Sequence, residues 1–308
     1  MAKDLHELPR LSDSISYLYI EHAKIEQSSM SIEAVKKDGI IAIPAASLTL
    51  LMLGPGTSIT HAAVKALSEN GCMAVWCGEG VSRFYAFGTG ETRSAANLLR
   101  QAKLCMDEQA HISVVRRMYE RRFPDIKCEG FTLQQIRGME GIRVRQAYKI
   151  WSKQAGILWK GRDYKSNNWD DADPINRGLS IANTVLYGVC HAAIVSLGYS
   201  PGLGFIHTGK QLSFVYDIAD LYKADVTIPA AFETAALDST NMQQEIRIRT
   251  RQLIKKHNIM KRIPEDIDWV FSIDSHDDPN KDTPGDLWDD QDDSVKGGIN
   301  YAKGALEL

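Results

Sequence analysis

Phe205-Ile-His-Thr-Gly209, followed by Phe214-Val-Tyr-Asp217-Ile-Ala-Asp220, sets one imidazole and two carboxylates in a short stretch of chain. Asp217 and Asp220 stand three apart in a segment whose apolar spacing predicts a helix, so they share a face. Two carboxylates on one face repel unless a cation or a hydrogen-bond network offsets their charge. A divalent metal ion would do this, and one imidazole with carboxylates suits Mg²⁺ or Mn²⁺ better than zinc. The same spacing also fits a solvated polar face, and a lone histidine such as His207 also fits a structural role. A third carboxylate, Glu140, lies in Gly138-Met139-Glu140-Gly141. Its flanking glycines suggest a close backbone approach at the start of a helix, although a glutamate there is also explained by the helix dipole.

Basic residues gather in three places: Arg116, Arg117, Arg121 and Arg122; Arg143 and Arg145; and Arg247, Arg249 and Arg251, continuing into Lys255 and Lys256. Dense guanidinium groups suit phosphate contacts, and solvated helix faces give the same pattern. The net charge of -3 averages two unlike parts. Residues 274–308 hold nine Asp and one Glu against Lys281, Lys296 and Lys303, which is -7 and leaves +4 for the remainder. A mildly basic body is compatible with a polyanionic ligand.

These side chains need a scaffold, and the hydrophobic pattern supplies two kinds. Up to about residue 90 it reads as strands: Met30, Ile32 and Ala34 alternate with polar residues, and Ile40–Ile43, Leu48–Leu53, Met73–Cys77 and Phe84–Phe87 are short apolar runs. One helix interrupts them, with Thr60 as cap and Gly71 as stop. From Ser94 the period becomes helical and runs to Pro124 as a single element. Asp173-Pro174 opens a helix that Gly198 closes. A third helix starts near Phe214, and a fourth covers Gln243–Lys256. The expected fold is α+β: a β-rich domain at 1–90, a mainly α-helical catalytic domain at 91–273, and an acidic, flexible tail at 274–308. At 308 residues the chain can hold two domains. Five cysteines without CxxC spacing argue against disulfides and structural zinc. With no signal segment and no uninterrupted apolar run of 18, the expectation is a cytoplasmic protein that spans no membrane.

Taken in order, several segments resemble the CRISPR-associated integrases that acquire new spacers, and in particular their type I-E branch. They are Met52-Leu-Gly-Pro-Gly-Thr57, Thr60-His-Ala-Ala-Val64, Arg83-Phe-Tyr-Ala86, Gln135-Ile-Arg-Gly-Met-Glu-Gly141 and Trp151 to Gly156. Gly161-Arg-Asp-Tyr164, Tyr187-Gly188, Gly204-Phe-Ile-His-Thr-Gly-Lys210 and Ser213-Phe-Val-Tyr-Asp-Ile-Ala-Asp220 complete the set. The resemblance implies an N-terminal β-domain that dimerises and a helical domain that holds the active site. It implies that Glu140, His207 and Asp220 bind the metal, with Asp217 as a further acidic residue needed for activity. Arg83, Lys223, Arg247 and Arg251 would contact DNA phosphates, Tyr187 and Tyr216 would line the channel, and Trp169 would sit near bound DNA. His22 stands where some type I-E members place a tyrosine that stacks on the end of the duplex, and Ser58 where some have an arginine.

The implied reaction is attack by the 3′-hydroxyl of a short DNA fragment on each strand of a CRISPR repeat, with no need for ATP. The implied partners are double-stranded DNA, a second copy of the chain, and a small companion Cas protein whose dimer bridges two such homodimers, with the acidic tail as a docking segment. Three other readings stay open from residues alone. They are a nuclease for branched or single-stranded DNA, a DNA-binding scaffold without catalysis, and a metal hydrolase for small phosphates.

Overall fold

The computed structural model describes residues 17–29, 31–89, 95–125, 127–162, 173–237, 241–272, 287–289 and 293–295. The chain begins with β1 (Tyr17–Ile20), β2 (Lys24–Ser28), β3 (Ser31–Lys36), β4 (Gly39–Ile43), β5 (Leu50–Leu53) and β6 (Ser58–Ile59). Helix α1 (His61–Glu69) follows, then β7 (Met73–Cys77) and β8 (Phe84–Gly88). Thr60 caps α1 by accepting from the Ala63 N–H, as its residue type predicts. One sheet has the order β1-β5-β7-β8, parallel except for its last pair, and the second has the order β4-β3-β2-β6.

Strand β5 is buried on both faces, which explains its unbroken Leu-Leu-Met-Leu run. Leu51 and Leu53 face a core shared with Ile25, Ile32, Ala63 and Leu67 of the second sheet and α1. Leu50 and Met52 face the other way, into a larger core built by the helices. The first sheet is thus the shared wall between the two cores.

Beyond it come α2 (Ala96–Met106), α3 (Glu108–Arg122), α4 (Leu133–Ala155), α5 (Pro174–Ser196), α6 (Ser213–Asp220), α7 (Thr227–Ala235), α8 (Met242–Lys256) and α9 (Ile259–Phe271). Antiparallel β9 (Leu287–Asp289) and β10 (Asp293–Val295) lie within the acidic tail. The single helix expected from Ser94 to Pro124 is two. Asp107 leaves helical geometry and its carboxylate accepts from Ala110 N–H, restarting the chain as α3. Gly138 and Gly141 lie inside α4, and Thr132 and Gln135 form its capping box, so Glu140 sits in the helix's second turn rather than at its start. A Cβ at Gly138 would meet nothing, so no close backbone approach explains that glycine.

Helix α5 starts on the Asp173 cap with Pro174, as expected, and runs through the centre of the larger core. It is long and apolar enough to cross a membrane, yet 78% of its most apolar window is buried within the protein. Its apolar character serves packing on all sides. The loop Gly78–Arg83 lies against this helix. Val81 adopts φ +63° there, which is costly for a β-branched residue, and its carbonyl fits against Gly188. Phe84 stacks on His191 with ring centroids 3.7 Å apart, and burial pushes that imidazole down to about 4. Gly188→Ala would drive a methyl group into the Val81 carbonyl. We expect it to lower stability by about 3 kcal/mol, read as a shift in urea midpoint.

All five cysteines are free, and four are buried. Burial raises the Cys77 thiol to about 12, so it behaves as an apolar core group.

Candidate active site

Asp217 and Asp220 share a face of α6, but their charges are offset separately. Asp217 is fully buried and acts as a hub for the preceding loop. Its Oδ2 accepts from the N–H groups of Phe205 (2.6 Å) and Ile206 (3.1 Å), and its Oδ1 accepts from the His207 N–H (2.9 Å). The same Oδ1 lies 2.7 Å from His207 Nδ1. This hydrogen bond raises the His207 imidazole above its ordinary value against the opposing effect of burial, and the charges of Asp217 and Asp220 add to the rise. With Nδ1 held by Asp217, Nε2 is the imidazole nitrogen turned away from that carboxylate.

The loop carrying His207 is fastened from a second side. The fully buried Gln101 donates from Nε2 to the carbonyls of Ser200 (3.0 Å) and Leu203 (2.8 Å), and its Oε1 accepts from Ser200 N–H (2.7 Å). His111 touches the Cys105 and Phe205 carbonyls at 3.0 and 2.8 Å. A Cβ at Gly204 would overlap the His207 carbonyl and Ser213, so only glycine fits that turn.

Asp220 is the last residue of α6, where the negative end of the helix dipole disfavours a carboxylate. Two cations offset it. Lys223 Nζ lies 2.5 Å from Asp220 Oδ1, and Arg122 Nη1 lies 3.6 Å from Oδ2. Burial works to lower the Lys223 ammonium, but the Asp220 charge and contacts with Asp220 and Tyr187 outweigh it and hold it above its ordinary value. Arg122 Nη1 also donates to Glu140 Oε1, so one guanidinium nitrogen bridges the two carboxylates. Tyr119, one turn before Arg122 on α3, is pushed up to about 12 by burial, by the Glu140 charge and by a hydrogen bond with Glu140.

The structure therefore pairs His207 with Asp217 and links Glu140, Asp220 and Lys223 through Arg122 and Asp220, with Asp217 and Asp220 one turn apart on α6. Tyr216 lies beside His207 with centroids 5.8 Å apart, Tyr187 lies 4.9 Å from Tyr216, and Lys223 Nζ is 5.2 Å from the Tyr187 ring centre. Arg247 and Arg251 stand apart on α8 over the Gly78–Arg83 loop. Arg247 pairs with Glu79 at 3.0 Å, Arg251 lies against Gly80, and the exposed Arg83 closes the loop through its carbonyl, which accepts from Gly78 N–H at 2.8 Å. His22 is exposed at φ +53° beside Gly56, in the β-rich region. Trp169 lies outside the described residues.

The arginine cluster ending α3 is not a free phosphate-binding face. Arg117 lies 4.1 Å from the Trp269 ring centre, Arg121 pairs with buried Asp266, and Arg122 is held by the acidic pair. Asp266 also accepts from Tyr222 OH at 2.7 Å. It thereby fixes the residues next in sequence to both Arg122 and Lys223. Sequence reading missed Gln101, His111, Tyr119, Arg122 and Asp266 as site supports. Only the last turn of α3, rich in arginine beside Pro124, hinted at one of them.

Among the described residues, no three His, Cys, Asp or Glu side chains gather closely enough to hold one ion. In kind, the donors do fit a hard divalent cation: two carboxylates and one imidazole with its other nitrogen anchored. Asp220 Oδ1 is buried and makes no well-aligned hydrogen bond, although Lys223 Nζ faces it. Such an acceptor is suited to a cation.

A two-sheet β region walled against a helical region that carries the acid and imidazole side chains defines an α+β protein. A family model described as CRISPR associated protein Cas1 matches residues 122–251, which include Glu140, His207, Asp217 and Asp220. The chain is 49% identical to the CRISPR-associated endonuclease Cas1 2 of Thermus thermophilus, covering 97% of this chain and 94% of that one. It is 40% identical to the CRISPR-associated endonuclease Cas1 of Clostridium sp., covering 96% and 98% respectively. Its fold matches a crystal structure of a TtCas1–DNA complex with a TM-score of 0.79 and 52% identity, over 86% of this chain and 99% of that chain. The chain belongs to the CRISPR-associated Cas1 family.

Proposed function

We propose that this protein is a metal-dependent DNA integrase and endonuclease of CRISPR adaptation that inserts short DNA fragments into a CRISPR array. The observation that carries this reading is that Arg122 joins Glu140 to Asp220 while Asp217, one turn before Asp220 on α6, anchors His207, all inside the segment matched by the family model. The names of the relatives and a DNA complex of a similar structure support DNA as the substrate. The type I-E assignment rests on the motif resemblance.

Glu140, His207 and Asp220 would hold Mg²⁺ or Mn²⁺, and such an ion supplies neutralisation of the phosphodiester oxygens and of the leaving oxygen. Asp217 keeps the His207 ring oriented and its Nδ1 occupied. Lys223, held charged between Asp220 and Tyr187, adds fixed positive charge where negative charge develops. The 3′-hydroxyl of the fragment forms a new O–P bond while the target strand's P–O3′ bond breaks. The freed 3′-oxygen takes up a proton, so phosphodiesters are conserved and no nucleotide is consumed. Water in place of the 3′-hydroxyl gives hydrolysis, the reading that the relatives' name favours.

Arg83, Arg247 and Arg251 would hold DNA phosphates away from the reacting centre. Arg247→Ala and Arg251→Ala are expected to weaken duplex binding about equally for all sequences. Each should also reduce the slope of log K against log salt by about 0.9 for every phosphate no longer neutralised, as measured by fluorescence anisotropy. A homodimer is supported by β4, a terminal strand whose Ile40 and Ile41 are 65% and 54% exposed. The small companion Cas protein would bridge two such dimers.

The test is to incubate the protein, with and without that companion, with a labelled short duplex and a supercoiled plasmid bearing a CRISPR leader and repeat. Label joined at the repeat borders supports integration. Nicking without joining leaves only the nuclease, and tight binding with neither product leaves a scaffold.

A further inference from the structure

Arg122 is set among acidic partners rather than on an open surface. Its side chain is only 11% exposed, its guanidinium packs 5.2 Å from the Phe123 ring centre, and its neighbour Arg121 is tied to buried Asp266. From there a single nitrogen, Nη1, reaches both Glu140 and Asp220. Those carboxylates are 24% and 15% exposed, so leaving their charges unshielded would be costly. Lys223 serves Asp220 alone among the pair, which leaves Arg122 as the cation that Glu140 and Asp220 share.

Resting on the metal reading above, we propose that Arg122 is an exchangeable internal counterion. It holds the two carboxylates when no ion is bound, and a divalent ion must displace it to bind them. Charge drives the exchange. With Lys223 fixed on Asp220, a divalent ion together with Arg122 would set four positive charges against two carboxylates, whereas exchange removes one of them. Two cations competing for the same oxygens have an unfavourable coupling, and coupling is reciprocal: whatever Arg122 gains there, the ion loses. Once released, the guanidinium is available for a phosphate oxygen of the bound DNA. Arg122 would then restrain metal affinity while assisting turnover. An arginine that merely supports the ligands would instead raise metal affinity.

The experiment is a Mn²⁺ titration of the full-length protein followed by electron paramagnetic resonance of the free hydrated ion, with no DNA present. It compares the unsubstituted chain with Arg122→Gln, Arg122→Lys, Glu140→Gln and Asp220→Asn. The proposal predicts that Arg122→Gln binds Mn²⁺ about tenfold more tightly. Arg122→Lys, which keeps a charge, should stay nearer the unsubstituted chain. Thermal melting with and without Mn²⁺ covers a destabilised variant: the rise on adding Mn²⁺ should be larger for Arg122→Gln than for the unsubstituted chain. Equal or weaker Mn²⁺ binding by Arg122→Gln, with binding still lost in Asp220→Asn, would overturn the counterion role and leave the metal reading standing. If Glu140→Gln and Asp220→Asn bind Mn²⁺ as well as the unsubstituted chain, the ion lies elsewhere and both readings fall.

Discussion

Asp217→Ala should lower the stability of the protein by about 4 kcal/mol and disorder the loop that presents His207. The side chain is buried and accepts from three consecutive backbone N–H groups as well as contacting the His207 ring. Alanine offers none of these acceptors, and each buried donor left without a partner costs about 1–3 kcal/mol, partly recovered where the loop relaxes toward water. Urea denaturation should show a lower midpoint at an unchanged slope. Asp217→Asn keeps the shape and one acceptor oxygen and should lose about half as much. A variant with an unchanged midpoint would mean that the loop is held by Gln101, His111 and Gly204 alone.

Asp220, three residues further on the same face, should behave in the opposite way. Asp220→Asn and His207→Ala are expected to reduce strand joining by about 10³-fold or more, since a metal ion's stabilisation of the transition state is worth several kcal/mol and each ~1.4 kcal/mol is a decade. Duplex binding should change little, because Arg83, Arg247 and Arg251 lie away from these side chains along the Gly78–Arg83 loop. Duplex anisotropy and single-turnover joining, measured on the same preparations, separate the two effects. A parallel loss of binding and joining would place Asp220 and His207 in DNA recognition.

Features set by local chemistry were legible in the sequence. Thr60 and Asp173 cap their helices as their types dictate, and the helical period around Phe214 locates α6. What eluded sequence reading was set by tertiary contact. Asp107 reads as one polar residue in a helical run, and only its bond to Ala110 N–H shows that the chain restarts there. Helix α7 is short and buried at seven of its nine positions, with Glu233 its one charged residue, so it carries no polar stripe to reveal its period. Helix α9 opens on a left-handed Asn258 and contains Pro264, both of which read as breaks. At the site, His207, Asp217 and Asp220 were close in sequence and so could be found together. Arg122 was one arginine of four, and nothing local distinguishes the one that reaches Glu140 from those tied to Trp269 and Asp266. Glu140 was drawn in by family resemblance, because its partners come from another helix.

The most direct measurement is single-turnover transfer of a labelled 3′ end into a CRISPR repeat by protein freed of metal with a chelator, as Mn²⁺ or Mg²⁺ is returned. The unsubstituted chain should be silent without metal and recover with a saturable dependence on it, while His207→Ala and Asp220→Asn stay silent at every concentration yet still bind the duplex. Transfer that persists in the chelated protein, or that survives in either variant, would contradict a metal-dependent phosphoryl transfer at Glu140, His207 and Asp220.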